Sequence, residues 1–212
     1  MTQSRRAAQA QSRQAGQAEA KEYTWDDLIA AIGQDFSGGE VTVAADPIDR
    51  SMIRRYCEPL EDDCPLYYDE EVAKRHGYKG IIVPWSAVTS FATQAIWNPG
   101  DQTKWPMADK DYTATIRPAG ERTERRAPPL PMPKTNAGFA TDVEIEYLLP
   151  VYIGDRLSSR GRKLVSVTLR ETRVGYGAFQ VSEGEIINQR GEVVAKTRNG
   201  SYSYIAGAKA PK

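Results

Sequence analysis

The chain has 212 residues and a formal net charge of zero, because 28 lysines and arginines balance 28 aspartates and glutamates. This balance gives no electrostatic case for binding nucleic acid or an anionic membrane. No apolar run approaches the ~18 residues of a membrane span, and the N-terminus lacks the apolar core of a signal peptide. We therefore expect a cytoplasmic protein. Its two cysteines, Cys57 and Cys64, are too few for a metal site and are expected to be reduced thiols.

The length allows one or two domains, and the core-forming patterns account for one. Residues 1–21 are rich in Gln, Ala, Ser and Arg and have no periodic apolar face, which predicts a disordered tail or a loosely held arm. An Arg-rich, acid-poor start also allows a transit peptide. The ordered domain is expected over residues 22–206, followed by a short tail at 207–212.

Three elements are predicted at the start of this domain. Apolar spacing predicts a helix over residues 25–32, and alternation predicts a short strand over 41–43. A second helix is expected over 48–57, with Asp46 as its N-cap and Pro47 at its first position.

The single histidine, His76, falls in the last turn of a helix predicted over residues 70–76. Asp69 is the expected N-cap of this helix, and Gly77 can end it through a left-handed conformation. A protonated imidazole there would complement the helix dipole, which is a structural role. The functional alternative is a displaced catalytic base.

The C-terminal half has strand patterns. Val143, Ile145, Tyr147 and Leu149 predict one apolar strand face. Further strands are expected over 156–172, 175–187 and 192–205, the last two joined by a turn at 188–191. Alternation in the first of these three predicts partial cover on both faces. Together with a buried helix predicted over 86–97, the pattern indicates an antiparallel sheet of the α+β class.

A short loop indicates what this fold does. Residues 61–69 read EDDCPLYYD and resemble the Gly-Asp-x-Asn-Pro-Leu-His signature of the MaoC-like enoyl-CoA hydratases and acyl dehydratases. In that family the Asp and the His position and activate the water that adds to a thioester-conjugated double bond. Asp62 keeps the Asp position, whereas Glu61, Cys64 and Tyr67 stand in place of the Gly, the Asn and the His.

The resemblance extends over residues 40–205. Residues 69–75 (DEEVAKR) and 77–84 (GYKGIIVP) resemble the family's N-terminal dehydratase domain, and 141–157 (TDVEIEYLLPVYIGDRL) is similar to its strand and turn. It implies one hotdog fold, in which an antiparallel sheet wraps around a long central helix at 86–97. In double-hotdog members the N-terminal half usually has Tyr where the active half has His.

The resemblance also implies a substrate-binding segment of Gly80, Ile81, Val83, Pro84 and Trp85. In the family the backbone before the central helix faces the thioester carbonyl, and N–H groups there can stabilise an oxyanion. Active hydratases often have His-Gly where this chain has Pro84-Trp85. Proline offers no N–H, and tryptophan is bulky where glycine allows close approach.

Residues 98–138 form an insert that prolines repeatedly interrupt, with Arg122, Arg125 and Arg126 making it locally basic. These arginines could bind the phosphates of coenzyme A, since Arg matches phosphate geometry. A polyproline stretch at 127–133 could instead lie against a partner subunit. The remaining interpretation is a solvated loop.

Three functions are open at this point. The first is a non-catalytic subunit of a heteromeric hydratase or dehydratase, in fatty-acid or steroid side-chain metabolism, that shapes the acyl pocket while a second hotdog subunit supplies Asp and His. The second is a homodimeric lyase that uses Asp62 with Tyr67. The third is a non-enzymatic thioester-binding module. The substrate would be an acyl thioester of coenzyme A or acyl carrier protein, and no cofactor or metal is implied, since hydration needs only acid–base groups and an oxyanion site.

Overall fold

The computed structural model describes residues 22–96, 99 and 128–211. These residues form a five-stranded antiparallel sheet of order β1-β3-β4-β5-β2. The strands are β1 (Val41–Val43), β2 (Ala137–Tyr147), β3 (Ser158–Thr172), β4 (Gly175–Ile187) and β5 (Val193–Ala206). The predicted strands are confirmed. Where the sequence predicted a strand end, the observed end lies within two residues of it.

Four short helices accompany the sheet within the described residues. They are α1 (Trp25–Ala30), α2 (Arg50–Cys57), α3 (Glu70–Arg75) and α4 (Val88–Phe91), with 3-10 turns at Glu58–Leu60, Pro65–Tyr67 and Trp85–Ala87. The longest of them, α2, has eight residues. None in the described part of the chain has the length and apolarity needed to cross a bilayer.

The start of α2 differs from the prediction. Asp49, rather than Asp46, is the N-cap, and its carboxylate accepts a hydrogen bond from Met52 N at 2.8 Å. Ile48 stays outside the helix because its carbonyl, which would accept from the N–H four residues on, accepts from Gly154 N at 2.8 Å instead. Because of this long-range backbone bond, the N-cap lies three residues after the predicted one.

The end of α3 is as predicted. Asp69 accepts from Glu71 N and Val72 N, and Gly77 has the left-handed φ of +88° that ends the helix. Nδ1 of His76 lies 2.9 Å from Val72 O, within the same helix end. This local bond supports the structural interpretation of the histidine.

The central helix is much shorter than the predicted 86–97. Helical structure begins with the 3-10 turn at Trp85–Ala87 and ends at Phe91, while residue 97 lies outside the described residues. The carbonyl of Thr93 accepts from Ala45 N at 3.1 Å, so the chain there is tied to the segment after β1. The Thr93 carbonyl is therefore bonded to another segment and not to a further turn of the helix.

One face of the sheet, hereafter the helix side, carries the apolar cores. The main core contains Ile53, Val83, Val88, Leu157, Ile186 and Ala195, and a second core contains Leu28, Ala31, Phe36, Leu164 and Ala178. A bulge at Val165 brings Leu164 to the same face as Val167 and Leu169. The prediction of cover on both faces of β3 is therefore wrong, since Ser166 and Thr168 are exposed on the opposite side.

The opposite, outer face carries rows of alternating charge. Glutamates on β2 and β4 flank Lys196 and Arg198 on β5, as in the pair Arg198–Glu183 at 3.2 Å. On the other side of β4, Arg160 of β3 pairs with Glu185 at 2.8 Å. These rows line a groove of about 780 Å³. Exposed pairs of this kind contribute little to stability. The charged part of this face is therefore interpreted as a solvated surface, whereas Tyr202 farther along the same face is buried.

Candidate active site

The loop at residues 61–69 keeps a defined conformation through hydrogen bonds centred on Asp62. Its N–H donates to Cys57 O at 3.2 Å, and its carboxylate accepts from Cys64 N at 3.1 Å. The phenol of Tyr68 donates to the Asp62 carbonyl at 2.9 Å. The half-buried carboxylate thus holds the turn that leads into Pro65–Tyr67.

Glu61 shows why the family signature has glycine at this position. Its φ of +50° is the only positive value at a non-glycine residue in the described chain. A side chain in this left-handed conformation costs roughly 1 kcal/mol relative to glycine. In this loop a glutamate thus holds a backbone conformation that favours glycine.

Tyr67 lies beside Asp62 in this loop and packs, half-buried, against the main core. Burial, followed by the nearby Cys64 and Asp62, raises the pKa of Tyr67 to about 12. The phenol therefore holds its proton at neutral pH and cannot act as an efficient general base there.

Two neighbouring groups complete the surroundings of the loop. Burial is also the largest cause that raises the pKa of the Cys57 thiol and that of Tyr68, the latter to about 12. Cys57 is buried and Cys64 is half-buried, and both thiols are free.

Two recesses meet beside the loop. One, of about 440 Å³, is lined by Tyr67, Tyr68 and Arg50 with Ser51 and Arg54. The other, of about 600 Å³, includes Arg50, Lys79 and Gly80. Arg50 borders both, and its guanidinium donates to Tyr68 O at 2.7 Å.

The predicted substrate-binding segment divides between a recess and the core. Gly80 and Ile81 line the larger recess. Val83 is 2% exposed, and its N–H is bound to Val151 O at 2.8 Å, while Pro84 is fully buried. Trp85 is half-buried against Tyr147, with ring centroids 5.4 Å apart. The Val83 amide is thus already bonded within the fold.

Arg122, Arg125 and Arg126 lie outside the described residues. Among the cations that line the two recesses are Arg50 and Lys79, which the sequence analysis missed. They are distant in sequence, and the bridge between Ile82 and Tyr152 helps form their common recess. Within the described chain, no cluster of three metal-ligating side chains is found.

Residues 30–197 match the model of the FAS1-like dehydratase domain region. The chain belongs to this family. It is a MaoC-like, hotdog-fold protein, as the loop and the sheet order indicated. A solved structure, that of the ChsH1-ChsH2 complex from Mycobacterium tuberculosis, contains a chain with the same fold, at a TM-score of 0.59 and 21% identity over 88% of this chain and 96% of that one.

Two curated relatives of this FAS1-like protein have hydratase names. A "probable enoyl-CoA hydratase alpha subunit" from Thermomonospora curvata is 29% identical over 81% of this chain, and a "3-oxo-4,17-pregnadiene-20-carboxyl-CoA hydratase alpha subunit" from Mycobacterium tuberculosis is 25% identical over 47%. The alignments span 49% and 35% of those two relatives' own lengths. This chain therefore corresponds to at most about half of either one.

Proposed function

We propose that this chain is the non-catalytic hotdog subunit of a heteromeric enoyl-CoA hydratase or acyl dehydratase. A partner hotdog subunit supplies the Asp and the His that activate water, and this chain shapes the acyl pocket. The observation that carries the proposal is Tyr67, which stands where the family's base belongs and whose pKa is raised to about 12. The alpha-subunit names of two relatives support a heteromer.

The alternative, a homodimer that uses Asp62 with Tyr67, is weaker on chemical grounds. With a pKa of about 12, only about one phenol in 10⁵ would be ionised at pH 7. Asp62 already accepts a hydrogen bond from Cys64 N in the loop, at 3.1 Å. Both side chains are better suited to keeping the loop in shape than to removing a proton from water.

An open sheet edge offers the surface for the partner. β2 ends the strand order and pairs only with β5 among the described strands. It also exposes Val143 (61%) and Phe139 (50%). Unpaired edges favour addition of another strand, whereas the charged outer face does not favour a dry interface. We therefore place the partner subunit along β2.

The recess at Gly80 provides a site for the thioester carrier. Glu70 and Asp155, which also line it, are neutralised by Lys74 at 2.9 Å and Arg190 at 3.3 Å. Arg50 donates to a neutral backbone carbonyl, so its charge is not cancelled by that bond, and Lys79 is exposed. Both side chains can therefore bind an anion. Phosphates of coenzyme A would bind there, in the recess next to the one that Tyr67 lines.

The proposal is tested by reconstitution. The chain is purified alone and together with a hotdog protein of the same genome that carries an intact Asp-x-Asn-Pro-Leu-His loop, and hydration of trans-2-enoyl-CoA is measured. Little hydration is expected from the chain alone, and a complex of the two should be more active than either. Equal hydration by the chain alone and by the complex would refute the proposed subunit role.

A further inference from the structure

The helix side of the sheet has a polar centre. Alternate residues on β4 and β5 point to this side: Gln180, Ser182, Thr197, Asn199, Ser201 and Ser203, hereafter the polar band. Strand pairing puts Gln180 opposite Ser201 and Ser182 opposite Asn199. The band thus forms one continuous surface on the two adjacent strands.

The band interrupts a face that is otherwise apolar. At one end it borders Ile186 and Ala195 of the main core, and at the other Ala178 of the second core. Polar side chains at positions that should fill a core are unfavourable unless they have hydrogen-bonding partners. If a ligand supplies these hydrogen-bonding partners, the band is a binding surface for that ligand.

A cleft lies over part of the band. It has a volume of about 270 Å³, and its lining includes Thr89 of α4 together with Ser182, Thr197 and Asn199. Gln180 and Ser201 are not part of this lining; they form the next pair along the same face of the two strands. Thr89 follows the Pro84–Trp85 segment by one helical turn, so the cleft begins close to that segment.

Gln180 provides an independent sign of a ligand. It is 6% exposed, and its Nε2 donates to Ser203 Oγ at 3.0 Å. Its Oε1 is buried and has no hydrogen-bond partner in the described part of the chain. A buried acceptor of this kind needs a reason, such as a group that arrives with the substrate.

We infer, on the basis of the proposed function, that the polar band selects acyl groups that carry a hydroxyl group on the distal part of the chain. A hydroxyl can donate to Gln180 Oε1 and accept from Ser201 at the same time. A plain alkyl chain of equal length would cover the band and leave these groups unpaired. Sites built to bond a substrate hydroxyl reject the analogue that lacks it.

The test compares binding, so that it does not depend on turnover. Acyl-CoA thioesters of equal chain length, plain or with a hydroxyl at successive distal carbons, are titrated into the chain, alone and in its complex, by calorimetry. At least one hydroxylated member should bind about tenfold or more tightly than its plain counterpart. Gln180→Leu should reduce this ratio to within about threefold, mainly by tightening the plain thioester.

Two further variants protect the test against misfolding. Asn199→Leu, in the exposed part of the band, should also reduce the ratio, whereas Gln34→Leu makes the same chemical change as Gln180→Leu on an exposed surface and should leave it unchanged. Equal affinities for plain and hydroxylated thioesters, or a ratio that survives in both band variants, would overturn the inference. Selective binding without hydration would instead overturn the proposed reaction and leave the inference standing.

Discussion

The hydroxyl of Tyr68 donates a 2.9 Å hydrogen bond to the backbone carbonyl of Asp62. This bond closes the loop that carries the catalytic Asp and His in the family. The bond involves neither the Asp side chain nor a histidine, so it can form without them. It explains how the loop can keep its shape although the histidine is absent. Loop geometry and catalytic chemistry are thus separable in this chain.

Tyr68→Phe removes that bond and leaves the ring in place. A net loss of one hydrogen bond should lower the melting temperature by about 2–4 °C. Tyr176→Phe is a matched control, because Tyr176 packs on Trp25 through its ring, with centroids 6.2 Å apart. Calorimetric scans compare the three proteins. Identical melting temperatures for Tyr68→Phe and wild type would show that the bond does not stabilise the fold.

The raised pKa of Tyr67 predicts a stability loss at alkaline pH. Its folded-state pKa of about 12 exceeds the ordinary value of ~10. The unfolded chain therefore releases this proton first, so the contribution is fully present below about pH 10 and is lost as pH rises toward 12. Urea midpoints should fall between pH 9 and pH 11.5, and less steeply in Tyr67→Phe. An equally steep fall in the variant would contradict the assignment.

Replacing Arg50 and Lys79 by Gln together should raise the KM of the complex for enoyl-CoA by about 5–20-fold and change kcat by less than about twofold. Contacts to the phosphates are equal in the ground and transition states, which is why binding changes and turnover does not. A pantetheine thioester, which lacks the nucleotide phosphates, should be unaffected. Arg75→Gln, an exposed change on α3, is the control. A KM rise of the same size with pantetheine would assign these cations another role.

Val143→Lys places a charge on the exposed edge strand β2 and should weaken association with the partner subunit by about tenfold or more. Thr168→Lys adds the same charge to the exposed outer face of β3 and should not. Sedimentation of the mixed subunits measures both. If Thr168→Lys is the disruptive change, the partner binds the outer face and not the edge.

Local sequence signals predicted the elements whose hydrogen bonds are local. Asp69 and Gly77 bound α3 as expected, and β4 has its predicted limits. Long-range bonds explain the errors: the carbonyl of Ile48 accepts from Gly154 N and so lies outside α2, and Thr93 O is bound to Ala45 N where the central helix was expected to continue. No residue pattern within either segment announces its distant partner.

The candidate site shows the same division. Asp62 and Tyr67 could be recognised because the whole loop is contiguous, and the structure keeps them together. Arg50 and Lys79 could not be joined from sequence, since their common recess also needs the turn at Gly154. The polar band was hidden for another reason: its serines and threonines alternate with charged and aromatic residues, and only the pairing of β4 with β5 shows which side each takes.

The most direct test removes the base from each subunit in turn and measures hydration of trans-2-enoyl-CoA by the complex. Replacing the partner's catalytic histidine by Gln should reduce kcat by about 10²–10⁴-fold. In this chain, Asp62→Asn and Tyr67→Phe should each leave kcat within about threefold of wild type. The opposite pattern, with kcat reduced at least about a hundredfold by Tyr67→Phe in a folded complex and unchanged by loss of the partner's histidine, would contradict the account.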